Sequence, residues 1–179
     1  MSHAPMIHAV VVTQFTKMLN NLVAILGEAE KFAAEKKFDT AILLQSRLSP
    51  DQFSLVQQIR TACDTAKLGA ARLAGRDKDA PVHADTEQTM AEVKARIESV
   101  ITYLKGFSPD SFAGAAERRI TQPRWAGKSL SGQEFLVQHV LPNFYFHATT
   151  AYAILRHNGV GIGKKNYLGD MPYREAAAA

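Results

Sequence analysis

Apolar side chains recur along much of this chain at the three- and four-residue spacing of helices. From Met6 to Lys36, Ile7, Val11, Met18, Leu22, Ile25 and Phe32 fall on one stripe that Phe15 and Leu19 widen, which predicts a long first helix. Ser49-Pro50-Asp51-Gln52 combines a capping residue, a proline suited to the first turn and a glutamine that completes a capping box. A second helix is predicted to begin there and to continue through Leu55, Ile59, Ala62, Ala66, Ala70 and Leu73 until Gly75. A third starts near Asp85, with Gln88 three residues on, and runs through Met90, Val93, Ile97, Ile101 and Leu104 to Gly106. Ser108-Pro109-Asp110 predicts one further short turn.

The period is lost between Ala116 and Leu130, where Ile120 and Trp125 flank a Gln-Pro pair and Gly127 follows. A hairpin or ordered loop is expected there. Ser131-Gly132-Gln133-Glu134 supplies another capping box, and the fourth helix is predicted to run to Asn158 with Gly159 beyond its cap. Pro142 lies inside it and predicts a kink near Gln138, the residue whose carbonyl the ring displaces. Four long helices and one atypical crossover predict an all-α four-helix bundle, a single domain over residues 1–179.

Two polar residues interrupt the apolar ridge of the fourth helix. Leu136, Val140, Asn143, His147, Thr150 or Ala151, and Ile154 share a stripe, so Asn143 and His147 sit one turn apart among inward-facing positions. Gln58 makes a similar break between Leu55 and Ala62 on the second helix. A buried polar group without a partner costs about 1–3 kcal/mol, so each of the three needs a hydrogen bond, a water or a metal. Three readings follow from the residues: a metal site built from helical ligands, a pocket in which His147 moves a proton for a small ligand, and a hydrogen-bonded trio that sets helix register. Amide oxygens are weak ligands for zinc or nickel, which bears on the first.

The remaining composition narrows the function classes. Hydrophobic residues are 46% and charged residues 21% of the 179, an ordinary globular balance. A single cysteine, Cys63, excludes an internal disulfide framework and a cysteine-based zinc cluster, and it reads as a small core residue. The net charge of +4 is carried by scattered lysines and arginines without interleaved aromatics, so no nucleic-acid partner is expected. No apolar run approaches bilayer length, and the N-terminal segment lacks a basic region followed by a cleavage site. No membrane partner and a cytoplasmic location are the corresponding expectations.

The ending of the fourth helix resembles a known pattern. His147 is followed by Leu155-Arg156 and then Gly159, as in the DinB-like superfamily, whose four-helix bundles commonly carry a three-histidine metal site. The resemblance places His147 at the last of those histidines, Asn143 at the other on the fourth helix, and Gln58 at the one on the second. Two of three ligand positions depart from it. More closely, Arg47 to Phe53, Gln58 to Lys67, Ala71 to Gly75, Pro142 to Gly159 and Gly163 to Gly169 resemble a family of unknown function within that superfamily. The fold is implied; no activity is. Some superfamily members use their metal to activate a thiol in transferase or isomerase reactions, chemistry that the substituted positions do not carry over.

Gln58, Asn143 and His147 are therefore expected to line a central pocket that binds a small molecule, with no cofactor expected and a divalent metal (zinc or nickel) as the competing possibility. A transferase, hydrolase or isomerase with His147 as acid/base, or as one of three metal ligands, is the enzymatic alternative. A structural, dimeric interaction module is the other. Arg60, Asp64 and Lys67 read as a surface ion-pair ladder, with Asp64 or Lys67 at the mouth of the pocket as the alternative, and Arg72 and Glu87 stand equally open. His139 extends the polar row, Tyr145 points away from it, and His3, His8, His83 and His157 read as surface or terminal. The Trp125 hairpin and the apolar C-terminal segment from Gly159 to Tyr173 are expected to close over the bundle or to join two copies in a homodimer.

Overall fold

Helix α1, Ala4–Lys36 in the computed structural model, carries the predicted apolar stripe into the core, with Val11, Phe15, Leu19 and Leu26 fully buried. The structure describes residues 3–175; the terminal alanine run lies outside them. Consecutive β-branched residues crowd the segment Ala9–Gln14, where the helix widens into a π-helical turn that buries both Val11 and Val12. By length and mean hydropathy α1 passes for a membrane-crossing helix, although no unbroken apolar run in it is that long. Its apolar face is packed inside the protein. Lys37 ends it in the left-handed conformation while Phe38 N–H bonds back to Ala33 O.

A short helix that the periodicity does not predict follows. Asp39 accepts from Ala41 N–H at 2.8 Å and caps α2, Thr40–Gln45. The next long helix, α3, is Leu55–Ala74 and begins five residues later than Ser49-Pro50 suggests. Ser49 Oγ instead bonds Asp51 within a turn, and Ser54 with Gln57 forms the capping box that starts the helix. A similar shift affects α4, Met90–Lys105: Asp85 adopts a left-handed conformation at φ 59°, and the reciprocal box of Thr89 and Glu92 sets the start. Gly106 ends α4, and the short turn at Pro109–Phe112 follows as expected.

The crossover is an antiparallel hairpin of β1, Arg119–Thr121, and β2, Ser129–Ser131, with Ile120 opposite Leu130. Its tip holds a helical turn, Pro123–Trp125. The last long helix, α5, covers residues 132–157 and begins at the Ser131–Glu134 capping box. Instead of a simple kink, the stretch before Pro142 is a π-helical turn, Phe135–Val140, in which Leu141 N–H reaches Leu136 O. The extra residue accommodates a ring that has no N–H to offer and crowds the carbonyl behind it.

Helix α3 packs between α4 and α5, and α1 closes the body against both. Two glycines allow the tightest approaches. A Cβ on Gly69 would stand 2.8 Å from Val140 Cγ1, and one on Gly132 would overlap Ala115 O at 1.7 Å. The C-terminal segment forms α6, Lys164–Leu168, and lies on the same chain: Asn21 donates to Tyr167 O, and the Tyr167 hydroxyl bonds Thr149 at 2.8 Å.

Candidate functional site

Gln58 enters the core one turn into α3, and His147 enters from the facing side of α5; they are 1% and 8% exposed. Gln58 Nε2 donates to Phe53 O at 3.3 Å, which turns Oε1 toward the histidine. Nδ1 of His147 therefore carries the hydrogen and donates to Oε1 at 2.6 Å. Burial lowers the His147 pKa from its ordinary value, so the neutral ring is favoured. Partly exposed Phe53 lies nearly parallel to the imidazole and Phe146 meets it edge-on. With Nδ1–H fixed, any proton that this ring accepts goes to Nε2.

Asn143 is not part of this pair. Its Nδ2 donates to Thr65 Oγ1 at 2.9 Å, farther along α3. The expected trio is two separate α3–α5 bridges. They also separate the three residues with respect to open space. A cleft of about 320 Å³ between α3, the first half of α5 and the hairpin tip has Asn143 in its wall, but neither Gln58 nor His147. The rest of its wall includes Arg72, Gln122, Arg124, Phe135 and His139.

The hairpin shapes this cleft. Trp125 packs edge-on against Phe135 and His139, and Phe135 stacks on His139. Arg124 Nη2 donates to His139 Nε2 at 2.7 Å. Burial, then the charges of Arg124 and Arg72, lower the His139 pKa. The polar row predicted through His139 thus continues into the cleft, while Tyr145 packs on Phe15 and Phe144. Thr65, Gln122 and Arg124 carry no sequence signal for this role: Thr65 meets Asn143 through the packing of α3 on α5, and Gln122 and Arg124 reach the cleft because the hairpin docks on α5.

Arg60, Asp64 and Lys67 do not form an exposed ladder. Arg60 bonds Glu87 at 2.7 Å, and Asp64 accepts from Lys67 at 2.9 Å and from Arg96 at 2.8 Å. Arg96, 3% exposed, also engages Asp85 and Glu87. Lys67 bonds His83 Nδ1 at 2.7 Å, so His83 joins this network. His8 bonds Phe107 O at 3.1 Å. Asp64 borders the cleft, whereas the network itself ties the loop before α4 to α3. Cys63 is fully buried and its thiol is pushed up to about 12, the environment of an inert core residue.

A three-histidine metal site does not fit these residues. Gln58 Oε1 accepts from His147 Nδ1–H and the Asn143 amide donates to Thr65, so Nε2 of His147 is the one imidazole nitrogen these three residues can offer a metal. Among the described residues no group of three or more His, Cys, Asp and Glu side chains is placed to hold a metal ion.

Four long helices, a hairpin crossover and paired polar positions on α3 and α5 define an all-α protein of the DinB-like type. Residues 7–168 match the family described as a domain of unknown function, DUF1993, and the chain belongs to that family. It is also similar to a crystal structure of a DinB family member protein from Shewanella denitrificans, with 57% sequence identity, a TM-score of 0.95 and coverage of 97% of each chain. No curated protein matches it significantly.

Proposed function

We propose that this protein binds a small molecule in the cleft beside Asn143, and that the Gln58–His147 pair serves as a buried tie between α3 and α5. The observation that supports the reading is the cleft itself. It is about 320 Å³, at the small end of the roughly 300–1,000 Å³ usual for ligand sites, and it joins an apolar wall (Leu68, Phe135, Val140) to a few convergent polar groups. Ligand-observed NMR with a fragment library tests it when wild type is compared with Leu68→Trp, which fills the cleft from its wall. Hits lost in that variant and kept in His147→Ala support the reading; the opposite pattern contradicts it.

The orientation of His147 favours a second reading, proton transfer by a metal-independent enzyme. Gln58 holds Nδ1–H, which leaves Nε2 as the base, and the exposed edges of Phe53 and Phe146 offer a surface for an apolar substrate.

A further inference from the structure

We propose that the cleft takes a small organic carboxylate, with its charged end between Arg72 and Arg124 and its apolar body against Leu68 and Val140. This deepens, and rests on, the reading of the cleft as a ligand site.

The polar atoms left unmatched there point to an acceptor. Gln122 is 7% exposed and lines the cleft, yet its Nε2 is buried with no acceptor among the described residues. His139 receives the Arg124 hydrogen bond at Nε2, so its own hydrogen sits on Nδ1, which is buried and equally unpartnered. Both unmatched groups are donors. No buried side-chain acceptor among the described lining residues is left without a partner. An incoming neutral amide would bring donors of its own to a wall already rich in them, whereas a carboxylate brings only acceptor oxygens.

The charges agree. Arg72 has Asp77 as its ion partner, at 3.5 Å and on an exposed side chain. Burial, and to a lesser degree the nearby Arg124 charge, lower the Arg72 pKa against the opposing pull of Asp77, and an anion between the two arginines would supply a further counter-charge. The one carboxylate in the wall, Asp64, is already held by Lys67 and Arg96. A planar guanidinium matches the two oxygens of a carboxylate. Leu68, Val140 and Phe135 in the same wall give the rest of the molecule an apolar seat that inorganic phosphate would leave in contact with water.

Isothermal titration of the full chain with benzoate, benzamide and inorganic phosphate tests the assignment. Benzoate is expected to bind one per chain and benzamide at least about tenfold more weakly, the difference one charge-assisted hydrogen bond makes. Arg124→Gln should weaken benzoate about tenfold and leave benzamide unchanged. Lys128→Gln, which removes an equal charge from the same hairpin outside the cleft wall, should change neither. Benzamide binding as tightly as benzoate overturns the carboxylate assignment while the cleft reading stands. Binding by none of the three probes overturns both. Phosphate binding more tightly than benzoate overturns the apolar body, and an equal loss in Lys128→Gln and Arg124→Gln overturns the specific role of Arg124.

Discussion

His147 Nδ1–H and Gln58 Oε1 meet at 2.6 Å across the α3–α5 interface, joining the polar residues that interrupt the apolar ridges of the two helices. The pair is buried, and the amide is itself oriented by Phe53 O.

Breaking one side of that contact should destabilise the fold. Gln58→Leu leaves a buried ring N–H unpaired and is expected to cost about 1–3 kcal/mol in urea unfolding. The double variant Gln58→Leu/His147→Phe should lose less than the sum of the two single changes, with a coupling of about 0.5–3 kcal/mol. Strict additivity would show that the two side chains are independent.

Acid should weaken the protein through its histidines. Burial lowers the His147 pKa, burial and the Lys67 charge lower that of His83, and burial with Arg124 lowers that of His139. In this pH range the unfolded chain binds more protons than the folded one. The resulting stability is fully present above about pH 6.5, the ordinary histidine value, and is lost as pH falls through the folded-state values. Carbon-detected NMR titration should place the His147 midpoint below 6.5, and a midpoint above it would contradict the buried neutral ring.

Arg96 anchors a charge network that packing alone does not replace. Arg96→Met leaves Asp64, Asp85 and Glu87 without their shared cation, of which Glu87 is the least exposed. The expected loss is about 3 kcal/mol, at the low end for breaking a buried pair because Asp64 and Asp85 retain contact with water. Denaturant unfolding measures it; a loss below about 0.5 kcal/mol would assign the network to the surface class.

The donor set also predicts metal content. Protein purified without chelators or a histidine tag is expected to contain no stoichiometric zinc or nickel by elemental analysis. One metal per chain that disappears in His147→Ala would restore the metal reading.

The apolar stripes of α1, α3, α4 and α5 are plain in the sequence because long helices repeat the same spacing many times. Helix α2 is six residues long and repeats it too few times to stand out. The start of α3 is ambiguous in the sequence because Ser49-Pro50-Asp51-Gln52 and Ser54 to Gln57 are both capping signals, and Leu55 N–H, bonded to Ser46 O, goes with the second. Within the site, Gln58 and His147 are legible as polar breaks in apolar ridges. The Asn143–Thr65 bridge is half legible, since a threonine on a helix carries no such mark. Arg72, Gln122 and Arg124 come together only through docking of the hairpin, a tertiary event that local spacing does not encode.

The central claim, that ligand binding belongs to the cleft beside Asn143 and not to the Gln58–His147 pair, is tested most directly by residue-resolved amide NMR during a benzoate titration. Shifts concentrated at Thr65, Gly69, Gln122, Arg124 and Asn143, with Gln58 and His147 unmoved, are the predicted result. Shifts centred on Gln58 and His147, with the cleft residues silent, would contradict it.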